Sequence, residues 1–292
     1  MKSRIFIIVK IGQAVILLCF TSLSFSQESN KCDLKFIDHL VNKGDYEEAL
    51  FLLDSSGCSC VPLNDSINYL KGWSLYSLKR LLSSSESLIK VTSSSGFYLK
   101  SHFFFAYVCM HLGAYSNALV TLSNMKVISE EEISLRNYEI AGVYLLQGNE
   151  TMFEDFFSKT NRNFYELSES SENLQKISEE LTKHKRKSPL VAGLFSGIIP
   201  GSGKFYSGKK GEAISAFIAT AGLGLVTWEN YRKSGLKSFK TVAFGTAFAF
   251  SYAANIYGSV ISINVLETEF RNNVKNSILF NLHIPLRNSF DK

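Results

Sequence analysis

Four turn-forming residues recur at nearly constant spacing in the first half of this chain: Gly44, Lys79, Gly113 and Gly148, separated by 35, 34 and 35 positions. Seven residues before each stand Ile37, Gly72, Ala106 and Ala141, and five after each stand Ala49, Ser84, Ala118 and Phe153. Nine after each come Leu53, Leu88, Leu122 and Phe157, four positions beyond the preceding column and therefore on the same helical face. A turn of fixed phase, flanked by small and apolar residues at helical offsets, predicts two helices per period that approach each other closely. A hairpin of that size cannot bury its apolar face alone and must stack on its neighbours. The expected fold class is all-α.

The period and its columns resemble tetratricopeptide repeats, most clearly in Gly113-Ala114-Tyr115-Ser116-Asn117-Ala118-Leu119 and Gly44-Asp45-Tyr46-Glu47-Glu48-Ala49-Leu50. The resemblance covers about Cys32 to Lys159. It implies a concave groove that holds a protein or peptide partner, and it carries no chemistry. Ile37 and Phe153 depart from the small residues of that pattern, as capping units do when one face meets no neighbour. The many aromatics here, among them Phe103, Phe104, Tyr107, Tyr138 and Phe153, are expected mainly in the core, with a few lining a groove. Asn163 to Lys183 reads as one amphipathic helix through Leu167, Leu174, Ile177 and Leu181.

Beyond that helix the composition changes. Leu190 to Ile199, Ala213 to Trp228 and Thr241 to Leu266 contain no charged side chain. At about 1.5 Å per residue, the last is expected to cross roughly 30 Å of hydrocarbon, the second to be marginal and the first too short. Between the first two lies Pro200-Gly201-Ser202-Gly203-Lys204-Phe205-Tyr206-Ser207-Gly208. A phosphate loop would need Gly where Ile198 stands and Ser or Thr where Phe205 stands, so that reading fails. Pro200 ends an apolar segment, and Gly201, Gly203 and Gly208 permit positive dihedrals and close backbone approach, which predicts a tight re-entrant turn. Tyr206 is then expected at headgroup level with Lys204, Lys209 and Lys210 around it. Asn255, costly inside an apolar run, is expected to hydrogen-bond a neighbouring helix or the glycine loop.

This Pro-Gly-x-Gly-x-x-Tyr-x-Gly run, continued by Asn255-Ile256-Tyr257-Gly258, resembles a motif of bacterial two-helix membrane domains and of envelope proteins that join it to tetratricopeptide repeats. The resemblance marks Pro200, Gly201, Gly203, Tyr206, Gly208, Asn255, Tyr257 and Gly258 as the motif positions of a membrane domain and implies no activity. Lys204 stands where Gln is more usual, which leaves the turn logic intact.

The first ten residues carry Lys2, Arg4 and Lys10 without an acid, Ile11 to Phe20 is mostly apolar, and Ser24-Phe25-Ser26 supplies small residues at an exit site. That layout predicts a secretory signal cut before Gln27, although an uncleaved anchor shares the pattern. The next part, Gln27 to Thr182, holds 13 basic and 21 acidic residues, and Lys183 to Lys292 holds 15 and 5. An acidic, soluble portion followed by a basic, apolar one points to an anionic membrane surface, and away from nucleic acid for an exported chain. The run Lys183-His184-Lys185-Arg186-Lys187 abuts an apolar stretch, where a juxtamembrane clamp is expected. Cations flank all three apolar stretches, so charge bias does not choose an orientation. Cys32 is placed to pair with Cys58 or Cys60 across the first hairpin, leaving the other free or paired with Cys109.

The five histidines are scattered, and no zinc-protease, serine-hydrolase or paired-carboxylate pattern occurs. Neither cofactor nor metal is implied, and Glu130-Glu131-Glu132 reads as a charged helix start. The expected organisation is a signal over 1–26, repeats over 27–162, helix and basic linker over 163–187, membrane domain over 188–270 and a tail over 271–292. The function expected is that of a non-enzymatic envelope adaptor, with extracytoplasmic repeats that bind a protein and a C-terminal domain held in lipid. The alternatives are a membrane enzyme or small transporter with its site between the glycine loop and Asn255, and a purely structural subunit of an envelope assembly.

Overall fold

A computed structural model describes residues 33–55 and 64–290. The segment expected as a secretory signal, residues 1–26, and Cys32, Cys58 and Cys60 lie outside the described residues. Within them the chain is all-α, with thirteen helices and no strand. Two compact units divide it. One takes the described residues up to Gln147, with Thr151–Asn161 and the residues from Leu286 on; the other takes Gly148–Glu150 and Arg162–Pro285.

Eight helices come in four pairs: α1 Leu34–Lys43 with α2 Tyr46–Ser55, α3 Asn64–Ser77 with α4 Leu81–Leu88, α5 Tyr98–Leu112 with α6 Tyr115–Asn124, and α7 Glu130–Leu146 with α8 Glu150–Ser158. The reversals fall on the four residues the period selected, and all four are left-handed: Gly44, Lys79, Gly113 and Gly148 at φ 93, 62, 76 and 73. In the first three, the left-handed residue and its successor donate back to the two carbonyls that end the preceding helix, as Gly113 N–H does to Met110 (3.2 Å) and Ala114 N–H to Cys109 (2.8 Å). All twelve residues of the three flanking columns are buried. At Gly72 the reason for a small residue is explicit: a β-carbon would stand 2.7 Å from Leu88 Cγ and Cδ2. The bare backbone there lets Ser84 Oγ donate to the Gly72 carbonyl at 2.8 Å, tying α4 to α3.

The aromatics are mostly core. Phe103, Phe104, Tyr138 and Phe153 are fully buried, Trp73 meets Phe104 edge-on at 4.8 Å, and Tyr69 stacks on the half-exposed Phe97 at 4.3 Å. Glu132 is part of a capping box with Ser129 that starts α7, which accounts for the acidic triplet. Cys109 is a buried free thiol, and burial pushes it up to about 11.

The turns give a direct test. No atom lies within 4 Å of a β-carbon built at Gly113, so Gly113→Ala is expected to cost only the left-handed penalty, about 1–2 kcal/mol. That lowers the melting temperature by about 2–8 °C. Gly96→Ala, equally open but without a positive φ, is the control and should melt like wild type. Equal melting of the two variants would contradict the turn assignment.

The second unit is built from α9 Tyr165–Lys183, α10 Pro189–Ile198, the short α11 Ser202–Tyr206, α12 Lys210–Ser234 and all but the end of α13 Phe239–Phe290. Pro189 opens α10 at a position where its missing N–H costs nothing, and the Ser188 hydroxyl caps the Val191 N–H. Two expectations need correction. Among the described residues the one helix both long and apolar enough to cross a membrane is α12, whereas Thr241–Leu266 was expected to be the better span. The longer run is diluted by Asn255 and by several Ser, Thr and Tyr side chains. Residues 271–290, expected as a separate tail, continue α13 as helix, with Val274, Ile278 and Leu282 buried at one-turn spacing.

Candidate functional site: the glycine hairpin

Three rungs hold α10 and the turn against α13. Glu267 faces Lys187, Ser196 faces Ser259, and Gly201 faces Asn255, so the two segments run antiparallel. At the turn, the Gly201 N–H donates to Asn255 Oδ1 at 3.1 Å. In the middle, Ser196 Oγ lies 2.7 Å from Ser259 Oγ and accepts the Gly203 N–H at 3.0 Å, while Ser259 Oγ bonds its own helix at the Asn255 carbonyl. Tyr252 OH adds a bond to the Gly197 carbonyl at 2.7 Å. The turn thus satisfies two freed backbone donors with side chains, Asn255 from α13 and Ser196 from α10 itself, which a buried reversal requires.

Glycine is required at two points for space. A β-carbon on Gly203 would overlap the Ala192 carbonyl oxygen, and one on Gly201, at φ +87, would overlap the Ala213 carbonyl oxygen. Gly208 is different: its φ is +90, but nothing lies within 4 Å. Pro200, with Ile199, Phe205, Ile214 and Phe217, lines a 250 Å³ apolar cavity beside the turn. Gly258 gives passage to the Lys204 stem, whose Cε would be 3.6 Å from a β-carbon there. Tyr257 is exposed.

The other end of the hairpin is charged. Lys187 Nζ donates to the Tyr206 carbonyl at 2.8 Å and lies 5.4 Å from the Tyr206 ring centre. The cation around Tyr206 is therefore Lys187, whereas Lys204 and Lys209 turn to Glu212, each at 3.6 Å. Glu267 is buried and accepts from the Lys187 N–H at 3.1 Å; His184 Nε2 lies 3.0 Å from its other oxygen, and the His184 ring stacks on Phe270 at 3.7 Å. The hydrogen bond to His184 holds the Glu267 carboxyl below its ordinary range against the opposing effect of burial. Sequence reasoning singled out Gly201, Gly203 and Asn255, which the structure brings together, but missed Ser196, Ser259, Tyr252 and the His184–Glu267 pair. Glu267 carried a signal, as the first acid after an uncharged run.

The second helical pair follows the same rule. α12 and α13 run antiparallel, with Thr220 Oγ1 3.3 Å from Ser251 Oγ, and Gly224 admits the Phe248 ring, 3.1 Å from a built β-carbon. Thr220 is buried at this contact while Ile218, Leu225, Trp228 and Phe250 face outward. Among the described residues no cluster of three or more His, Cys, Asp or Glu is placed to hold a metal. The Asn255 Nδ2 group is buried and has no hydrogen-bond partner among them. No protein-family model, curated protein or solved structure matches the chain.

Proposed function

We propose that this protein is a non-enzymatic adaptor of the bacterial cell envelope: exported helical repeats of tetratricopeptide type capture a protein partner, and the unit around the glycine hairpin holds them at a membrane. One observation carries the reading. The second unit turns large apolar side chains outward over α12 and buries Ser196, Thr220, Ser259, Ser262 and Asn255, the reverse of a water-soluble core. In hydrocarbon every backbone polar group needs an internal partner, and the turn after α10 has them in Asn255 and Ser196. The repeats add the left-handed turns and buried small columns that such arrays need, and the acidic Gln27–Thr182 segment suits an aqueous compartment. The resemblance to envelope proteins that join the two parts points the same way.

A site for a membrane enzyme or transporter remains the second reading, because the orphan Asn255 amide is a free donor beside the turn. Two measurements decide. Alkaline carbonate washing should leave the full chain in the membrane pellet, and its release would refute the tether. Crosslinking in native membranes should trap a partner through the repeats, and Lys204→Gln, Tyr206→Phe and Asn255→Ala should leave that capture intact. A substrate turnover or flux abolished by these three substitutions would favour the second reading instead.

A further inference from the structure

We propose that the groove between α10 and α13 seats one acyl chain of an anionic phospholipid, with the headgroup phosphate on Lys185 and Arg186. This rests on the membrane reading above and names the lipid. The groove measures 720 Å³, is open to the surface, and is lined only by apolar side chains and glycine: Pro189, Leu190, Leu194 and Ile198 with Gly193 and Gly197 from α10, and Ile256 and Val260 from α13. Its volume lies within the range of small-ligand sites, about 300–1,000 Å³.

Length and charge select the occupant. α10 has ten residues, so the groove runs about 15 Å, half of a hydrocarbon core of about 30 Å. A partner's spanning helix would need the full depth, whereas one chain of one leaflet needs half. Positive charge gathers at one end only. Lys185 and Arg186 are exposed there, next to the N-terminus of α10 with its partial positive charge. Lys187 is already engaged with Tyr206. Glu267, the acid packed against this end, is hydrogen-bonded by the His184 ring and the Lys187 N–H and also feels the Arg186 charge without a hydrogen bond to it. Among the described residues Lys185 is therefore the cation here with no acid set against it. The other end closes at the turn, where the Gly201 N–H meets Asn255, and Lys204, which follows the turn, is turned to Glu212. A tail directed inward and a phosphate directed outward match that polarity.

The test uses the full-length chain in detergent, with bound lipid counted by native mass spectrometry after exposure to phosphatidylglycerol or phosphatidylcholine of the same acyl chains. Phosphatidylglycerol should be retained preferentially. Lys185→Gln with Arg186→Gln, both exposed, should reduce that preference by about tenfold or more, given the usual worth of a cation beside an anionic lipid. Gly197→Leu should reduce retention of both lipids, since a β-carbon there makes only ordinary contact with Ile256, at 4.0 Å, and the larger side chain fills the groove. Soluble glycerol phosphate in excess should not displace the lipid. Equal retention of the two lipids, wild-type behaviour of both variants, displacement by glycerol phosphate, or a lipid-free dimer occupying the groove would each overturn the proposal. Loss of the chain from carbonate-washed membranes would instead refute the tether itself.

Discussion

Gly203→Ala is expected to abolish the hairpin, with a cost of about 3 kcal/mol or more, at the upper end of overpacking effects. Its β-carbon would overlap the Ala192 carbonyl oxygen and lie 2.6 Å from Ser196 Oγ and 2.7 Å from Ser259 Cβ. The first obstacle is backbone inside α10 and cannot rotate away. The second is the hydroxyl that accepts the Gly203 N–H and bonds Ser259, so displacing it breaks the central rung as well. Gly201→Ala should be comparably damaging, because it adds a left-handed conformation to an overlap with the Ala213 carbonyl oxygen. Gly208→Ala should cost only about 1–2 kcal/mol, since its space is open and only its positive φ resists a side chain. Thermal melts of the detergent-solubilised full chain provide the comparison. If Gly203→Ala melts with Gly208→Ala, close approach of the backbone is not what requires glycine at the turn.

Glu139→Met is expected to stabilise the first unit by about 1–3 kcal/mol at neutral pH, the usual cost of a buried polar group without a partner. Glu139 lies on α7, fully buried, and neither carboxylate oxygen has a hydrogen-bond partner among the described residues. Burial pushes its carboxyl well above the ordinary value near 4.5. Burial likewise raises Tyr138, beside it on α7, and Tyr107 on α5, with the Glu139 charge adding to both shifts. Because the folded value exceeds the unfolded one, this group's contribution to stability is fully present below about pH 4.5 and is lost as pH rises towards the folded value. The difference between wild-type and variant melting temperatures should therefore widen from about pH 5 to about pH 8. Glu139→Gln should remove the same pH dependence but gain less stability, because its amide also lacks partners. A wild-type curve parallel to that of Glu139→Met would show that Glu139 does not titrate in this way.

How much of this was legible in the sequence follows from the range of the forces involved. The four reversals were readable because a left-handed residue after a helix is a matter of local sterics, which favours glycine in three of the four. Lys79 is readable only by its phase, since lysine carries no turn signal of its own. The buried columns followed from the same register, because stacked hairpins need small and apolar residues wherever two helices meet. The Gly201 and Gly203 constraint was visible as composition, and the need of Asn255 for a partner was visible from its setting.

Partners across long separations were not legible. Ser196 reaches Ser259, and His184 reaches Glu267, only once α10 and α13 lie antiparallel, and a lone serine or acid carries no label for its mate. The isolation of Glu139 is likewise a property of its neighbours. The sequence by itself determined the all-α class of the described residues, the turns of the four helical pairs and the place of a glycine reversal, because those depend on backbone sterics and helical periodicity. Only the tertiary structure decided which side chains close the reversal and that α13 continues through residue 290, because pairing and burial are set between elements distant in sequence.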